Sequence, residues 1–208
     1  DEDLSRGLGD VYKRQETLTN QVPNLNWAGG TSRPRYFQIR GIGERSQYFG
    51  EGAPNFSVGF MLDDMELSGL GMLGNLFDLN QIEVFRGPMS SVFGTNSLAG
   101  LISLRSNNPG DTLRVKSLLS GGTDNYLSLG TMLNLPVNNK LQFRFSGSIL
   151  QSDGFRYNKF RESSDSNKKD EQFIRVKLNY KPLKNFKVLS TYIYAELYNG
   201  YDSWAPDN

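Results

Sequence analysis

The sequence predicts two unlike parts in tandem: a small α+β domain over residues 16–108, then, from residue 112, antiparallel β-strands patterned like a membrane-spanning β-barrel. Three observations predict this. Apolar bursts in the first part are short and separated by Gly, Asn and Asp, as in a small mixed globule with long loops. In the second part, five segments of roughly ten residues alternate apolar and polar side chains, the period of a strand with two different faces. The connections between these segments alternate short and long, as they do between strands that cross a bilayer.

Residues 1–15 differ in character from the rest of the chain. Asp10–Gln15, DVYKRQ, resembles the translation of a transposon-end adaptor used in DNA library preparation. The stretch is therefore set aside as a non-native or disordered leader, with an ordinary polar leader as the alternative. Within 16–108, Phe37–Ile42 reads as a strand, and Ser57–Leu62 as a second that ends at the turn signal Asp63-Asp64. Gln81–Arg86 and Leu101–Leu104 read as two more, and Met72–Leu79 and Ser90–Ser97 as single helical turns. The alternating segments are Leu113–Ser120, Leu127–Leu135, Leu141–Ile149, Phe173–Tyr180 and Phe186–Ala195. The third is the clearest. Leu141, Phe143, Phe145, Gly147 and Ile149 fall on one face; Gln142, Arg144, Ser146 and Ser148 fall on the other. Pro136–Asn139 and Lys181–Asn185 are short turns, whereas residues 152–171 form a long, highly charged loop. Periodicity alone also fits a soluble antiparallel sheet with one face on a core. The polarity of Arg144, Arg175, Lys177 and Asn179 favours the barrel.

Composition narrows the chemistry. The 208 residues carry 23 basic and 22 acidic side chains, so no overall field points to nucleic acid. Phe and Tyr, 13 and 10 in number, favour strands. Without cysteine there is no disulfide framework, thiol catalysis or Cys-based zinc site, and without histidine no Ser-His-Asp triad. No run of 18 apolar residues codes a transmembrane helix. The first residues, Asp-Glu-Asp-Leu, are no signal peptide; an export signal would lie elsewhere, as expected of a fragment. Asp63 and Asp64 read either as a carboxylate pair for acid–base chemistry or metal binding, or as the turn of a hairpin. No second carboxylate cluster supports a metal site, and no spacing indicates the convergent carboxylates of a glycosidase.

Five short motifs stand in register: Ile39-Arg40-Gly41, Leu62-Asp63-Asp64, Ile82-Glu83-Val84-Phe85-Arg86-Gly87-Pro88, Val92-Phe93-Gly94 and Ala99-Gly100-Leu101-Ile102. In order and spacing they resemble the plug domain of TonB-dependent outer-membrane receptors, over residues 20–106. Three positions depart from the family pattern. Asp64 stands for the usual turn glycine, Phe93 for the commoner tyrosine, and Ala99-Gly100 for a glycine pair.

The resemblance implies an α+β plug domain (16–110) followed by the antiparallel β-strands of an incomplete transmembrane β-barrel (111–208), about five strands of a wall of about 22. It implies no enzyme and no cofactor. It implies active import of a nutrient across the bacterial outer membrane, of the siderophore, vitamin or oligosaccharide class. The partners implied are the TonB complex of the inner membrane, whose coupling box is not read in this chain, a small-molecule or oligosaccharide ligand, and outer-membrane lipid and lipopolysaccharide. A soluble β-rich binding or adhesion module is the alternative. The expected ligand contacts are Arg45, Gln47, Tyr48 and Phe49 on one apex loop and Phe93 on another. The expected structural motif is Arg40, Gly41, Glu83, Arg86, Gly87, Pro88, Gly94 and Gly100, with Glu83 pairing Arg40 or Arg86. Phe155, Tyr157, Tyr192, Tyr194, Tyr198, Tyr201 and Trp204 are expected either in an aromatic girdle at the lipid headgroups or in a ligand vestibule.

Overall fold

The structure, a computed structural model, describes residues 19, 22–28, 36–43, 56–68, 76–90, 96–154, 156–158, 162–166 and 168–200. The chain divides into two compact units, Asp1–Ser106 and Asn107–Asn208. The boundary expected from the sequence is 110/111.

The first unit is built on a four-stranded sheet of β3 (Val58–Leu62), β4 (Met65–Glu66), β5 (Leu79–Arg86) and β6 (Gly100–Ser106), in the order β4-β3-β6-β5. β6 is central, parallel to β3 and antiparallel to β5. A strand with neighbours on both sides reads as a near-continuous apolar run, and Leu101, Ile102 and Leu104 are almost fully buried. A separate two-stranded sheet pairs β1 (Leu25–Ala28) with β2 (Tyr36–Ile39). Phe37 of β2 stacks on Phe60 of β3 with ring centroids 5.9 Å apart.

The expected strands are present, extended or trimmed by a few residues. β1 and β4 are additional; each is short and lacks a clear alternation of its own. Among the described residues only Thr19 and Ser90 are helical. Phe77 and Asp78, expected in a helical turn, instead form the turn that leads into β5. Residues 71–75 and 91–95, which hold the rest of both expected helical turns, lie outside the described residues.

The second unit is a five-stranded antiparallel sheet. Its strands are β7 (Arg114–Gly121), β8 (Leu127–Asn138), β9 (Leu141–Ser152), β12 (Lys169–Leu183) and β13 (Phe186–Leu197), in the order β13-β12-β9-β8-β7. A small hairpin, β10 (Arg156–Asn158) and β11 (Ser163–Ser166), rises from the long loop between β9 and β12. The tight turns at the opposite end are two residues long. In the first, Asn138 Oδ1 accepts the backbone N–H groups of Lys140 and Leu141 at 2.8 and 3.0 Å, and so fixes the reversal.

The register places like with like across this sheet. One face carries Leu133, Phe145, Val176 and Tyr192 in one row, and Thr131, Gly147, Ile174 and Tyr194 in the next. The other face carries Asn134, Arg144, Lys177 and Thr191, then Met132, Ser146, Arg175 and Ile193. Burial is the reverse of a soluble sheet. Gln142, Arg175 and Lys177 are 0%, 2% and 3% exposed, whereas Phe145, Ile149 and Ile174 are 38%, 38% and 46% exposed. A soluble sheet would hide its phenylalanine and isoleucine and hydrate its arginine. This sheet does the opposite over strands of 12 or more residues, long enough for a tilted crossing of a bilayer.

Candidate functional site

Two connections of the first unit, the first and third in chain order, are rooted at one end of its sheet, and the second leaves β4 toward that end. β3 and β6 run parallel and both begin there, while β5 ends there beside Gly100. At the first, the residues on either side of 44–55 are joined, the Ser57 N–H donating to the Gly43 carbonyl at 3.2 Å. The third is closed at its base by two bonds, Gly87 N–H to Ala99 O at 3.0 Å and Met89 N–H to Ser97 O at 2.9 Å. Ala99 N–H donates to Ser57 O at 2.8 Å, which joins the two roots. The second loop starts after β4, where Leu67 N–H donates to Phe60 O at 2.8 Å. Asn96 Nδ2 donates to Glu66 Oε1 at 2.7 Å and ties this loop to the third. Arg45, Gln47, Tyr48, Phe49, Phe93 and Gly94 lie outside the described residues.

The motif residues that are described hold these roots in place. Arg40 follows β2 with φ +54°, and Gly41 with φ +77°. A Cβ on Gly41 would meet nothing within 4 Å, so only its backbone angle calls for glycine. At Gly100 the reason is space. A Cβ there would overlap the carbonyl oxygen of Phe85 and crowd Ile39 Cδ1. Gly87, at φ +135°, and the exposed Pro88 end the β5 ladder.

Glu83 does not pair with Arg40 or Arg86. Its carboxylate lies 3.9 Å from Arg105 Nε on β6 and accepts a bond from Gln81 Nε2 at 3.0 Å. The reason is the two-residue period of a strand. Glu83 shares a face with Gln81 and the cross-strand partners Ser103 and Arg105, whereas Arg86, three residues on, faces the other way with Ile82 and Val84. Nor is this a buried charge pair. The side chains of Arg105 and Glu83 are 54% and 33% exposed, and Arg40 and Arg86 are exposed as well.

Asp63 and Asp64 form the two-residue turn between β3 and β4, with φ +49° and +66°. A hairpin this tight needs left-handed residues at both positions, and Asp tolerates that conformation. The Asp63 carboxylate is occupied by the last residue of β6, accepting Ser106 N–H at 2.8 Å and Ser106 Oγ at 2.5 Å. Among the described residues no group of His, Cys, Asp and Glu is arranged to hold a metal.

In the second unit Tyr192 and Tyr194 share the exposed apolar face with Val188, Phe145 and Ile174. Tyr198 follows two residues after Glu196 of the same face, and its hydroxyl donates to Glu196 Oε1 at 2.8 Å. That hydrogen bond and the carboxylate charge hold its phenol above the ordinary value. The side chains of Phe155, Tyr157, Tyr201 and Trp204 lie outside the described residues. On the apolar face a shallow hollow of about 370 Å³ lies over Gly147, bordered by Leu129, Leu133, Phe145, Ile149 and Ile174. Its lining is too apolar to orient a polar ligand.

The sequence reading missed a polar network on the buried face. Asn134, 1% exposed, bonds to the backbone of residues 110 and 112, and Lys177 bonds to Asn108. Arg144 and Lys177 were legible as polar-face residues; Asn134, interrupting the small and apolar series Gly130, Met132, was not singled out.

Comparison with known proteins places these features. Residues 10–101 match the family described as TonB-dependent Receptor Plug Domain; the match begins inside the stretch set aside as a leader. The vitamin B12 transporter BtuB of Vibrio vulnificus is 28% identical over 132 residues, covering 61% of this chain and 22% of its own length. The ferric yersiniabactin uptake receptor FyuA of Yersinia pestis superposes with a TM-score of 0.68 at 21% identity, over 80% of this chain and 26% of that one. The pyoverdine receptor FpvA of Pseudomonas aeruginosa superposes with a TM-score of 0.67 at 13% identity, over 88% and 25%. The chain thus spans about a quarter or less of the length of these relatives.

Proposed function

We propose that this chain, which carries a TonB-dependent receptor plug domain and strands that match the barrels of such receptors in fold, is part of an outer-membrane importer. The cargo is a nutrient of the class for which its relatives are named: vitamin B12, ferric yersiniabactin, pyoverdine. One observation carries the proposal. The sheet after the plug exposes its apolar face and buries its polar one, which suits a wall between lipid and a polar lumen. The common root of two loops, with a third tied to them through Asn96 and Glu66, supports a ligand platform at one end of the plug. Arg45, Gln47, Tyr48, Phe49 and Phe93 are its proposed contacts, aromatic surface with a few polar groups, as a small-molecule site requires.

Import on this reading involves no covalent chemistry. Ligand binds at the loops; the TonB complex of the inner membrane pulls on the receptor and opens a path past the plug. Tyr192, Tyr194 and Tyr198 belong to the girdle at the lipid headgroups, because they lie on the apolar face.

The test is growth and uptake. A strain deleted for the intact gene is supplied with candidate nutrients as sole source, and the one it fails to use names the cargo. Tyr48→Ala with Phe49→Ala in the intact receptor should then weaken binding of that cargo by about tenfold or more. Normal growth of the deletion strain on every candidate removes the import reading; unchanged affinity removes only the residue assignment.

A further inference from the structure

The segment that opens the second unit, residues 107–113 and called the connector below, does not hang free. The side-chain amide of Asn134, on the buried face of β8, holds it as a neighbouring strand would. Asn134 Oδ1 accepts the Gly110 N–H at 2.9 Å, and Asn134 Nδ2 donates to the Gly110 carbonyl at 2.9 Å. The same Nδ2 reaches the Thr112 carbonyl at 2.6 Å. Acceptance from, and donation to, one residue is the pattern of a backbone pairing, here made by a side chain.

Two cations support the clamp. Arg144 of β9, directly opposite Asn134 in register, donates from Nη1 to Asn134 Oδ1 at 3.4 Å. A guanidinium tolerates only the oxygen of an amide beside it, so it fixes which way the amide points. Lys177 of β12, opposite Arg144, donates from Nζ to Asn108 Oδ1 at 3.2 Å. Three adjacent strands, β8, β9 and β12, thus each contribute a side chain from one row of the sheet. Asn134 is 1% exposed, so loss of its partners would leave buried polar groups unsatisfied.

We infer that Asn134 is a positioning residue that staples the connector to the wall and marks where chain displaced from the first unit stops. β7 begins at Arg114, two residues after Thr112. Its backbone bonds to β8 lie perpendicular to the strand, so a pull on its first residue directed along those bonds would open them one after another. The staple passes the load to side chains on β8, β9 and β12 before it reaches β7. Only the source of the load rests on the import reading above; the staple itself is geometry within one unit.

The experiment is hydrogen–deuterium exchange, read by mass spectrometry, on the intact receptor in lipid nanodiscs, with heat-modifiable gel mobility as the check of assembly. Asn134→Ala should raise exchange over residues 110–113 by about tenfold or more, and raise it over 114–121, while 141–152 stays as in wild type. Asn134→Asp keeps the oxygen for Gly110 N–H and Arg144 and loses both donations, so it should give an intermediate increase. Gly110→Ala should change nothing, because the added Cβ would lie 3.9 Å from Asn134 Nδ2, an ordinary contact. Wild-type exchange over 110–113 in an assembled Asn134→Ala receptor overturns the inference. Should that variant not assemble, Asn108→Ala and Asn134→Asp carry the same readout, and protection unchanged in both overturns it equally. No ligand or uptake enters these measurements, so failure of the import reading shows separately, in the growth test.

Discussion

A single methyl group separates the two kinds of glycine in the first unit. Gly100 sits where β5 and β6 meet, and a Cβ there has no room beside the Phe85 carbonyl. Gly100→Ala should therefore destabilise the receptor by about 1–3 kcal/mol, the usual cost of overpacking. It should appear as a lowered thermal midpoint of the detergent-solubilised protein; an unchanged midpoint would mean the sheet shifts freely. The motif supplied the position, but only the packing shows that Gly100 is needed for space and Gly41 for its backbone angle. Glu83 teaches the complementary lesson. The motif grouped it with Arg86, yet three residues along a strand reverse the face, and Arg105 of the neighbouring strand becomes its partner. That exclusion was legible in the period of the segment; the identity of the new partner was not, because it depends on the pairing of β5 with β6. At 3.9 Å and with both side chains well exposed, the pair adds little to stability.

At the scale of the element, the alternation in Leu141–Ile149 was the strongest local signal, and the structure assigns its two faces to opposite environments. Phe145 and Ile174 point away from Gln142, Arg175 and Lys177. A charge should therefore be tolerated on one face and refused on the other. Phe145→Lys puts an ammonium on the apolar face, and where that face meets lipid near the bilayer midplane the cost is about 2–4 kcal/mol. Ser120→Lys puts one on the polar face, beside Ser128. Assembly read by heat-modifiable mobility should drop for the first and hold for the second; equal tolerance of both would argue that the apolar face does not meet lipid. Asp63-Asp64 proved a sufficient tight turn without the expected glycine, because both aspartates adopt positive φ and Asp63 also binds Ser106.

For the molecule as a whole, among the described residues the five-stranded sheet ends at two edge strands, β7 and β13, each with a row of backbone groups that no further strand pairs. Its exposed face carries Leu127, Leu129, Phe145, Ile149, Ile174 and Tyr192. Residues 112–208 expressed alone should accordingly aggregate in water, since a sheet meant for lipid is viable only when closed. Sedimentation and denaturant unfolding test this, and a soluble monomer with a cooperative transition would contradict the membrane assignment. The succession of parts was written in the chain itself: a motif-bearing plug, then amphipathic strands joined by alternating turns. Local alternation and short motifs suffice for that, because strand period and turn chemistry act over a few residues. The partners came only with tertiary structure. Arg105 for Glu83, Ser106 for Asp63, Gly110 and Thr112 for Asn134 all join positions 20 or more residues apart in sequence. Such pairs depend on strand order and register, which arise only when the whole sheet closes its hydrogen bonds at once.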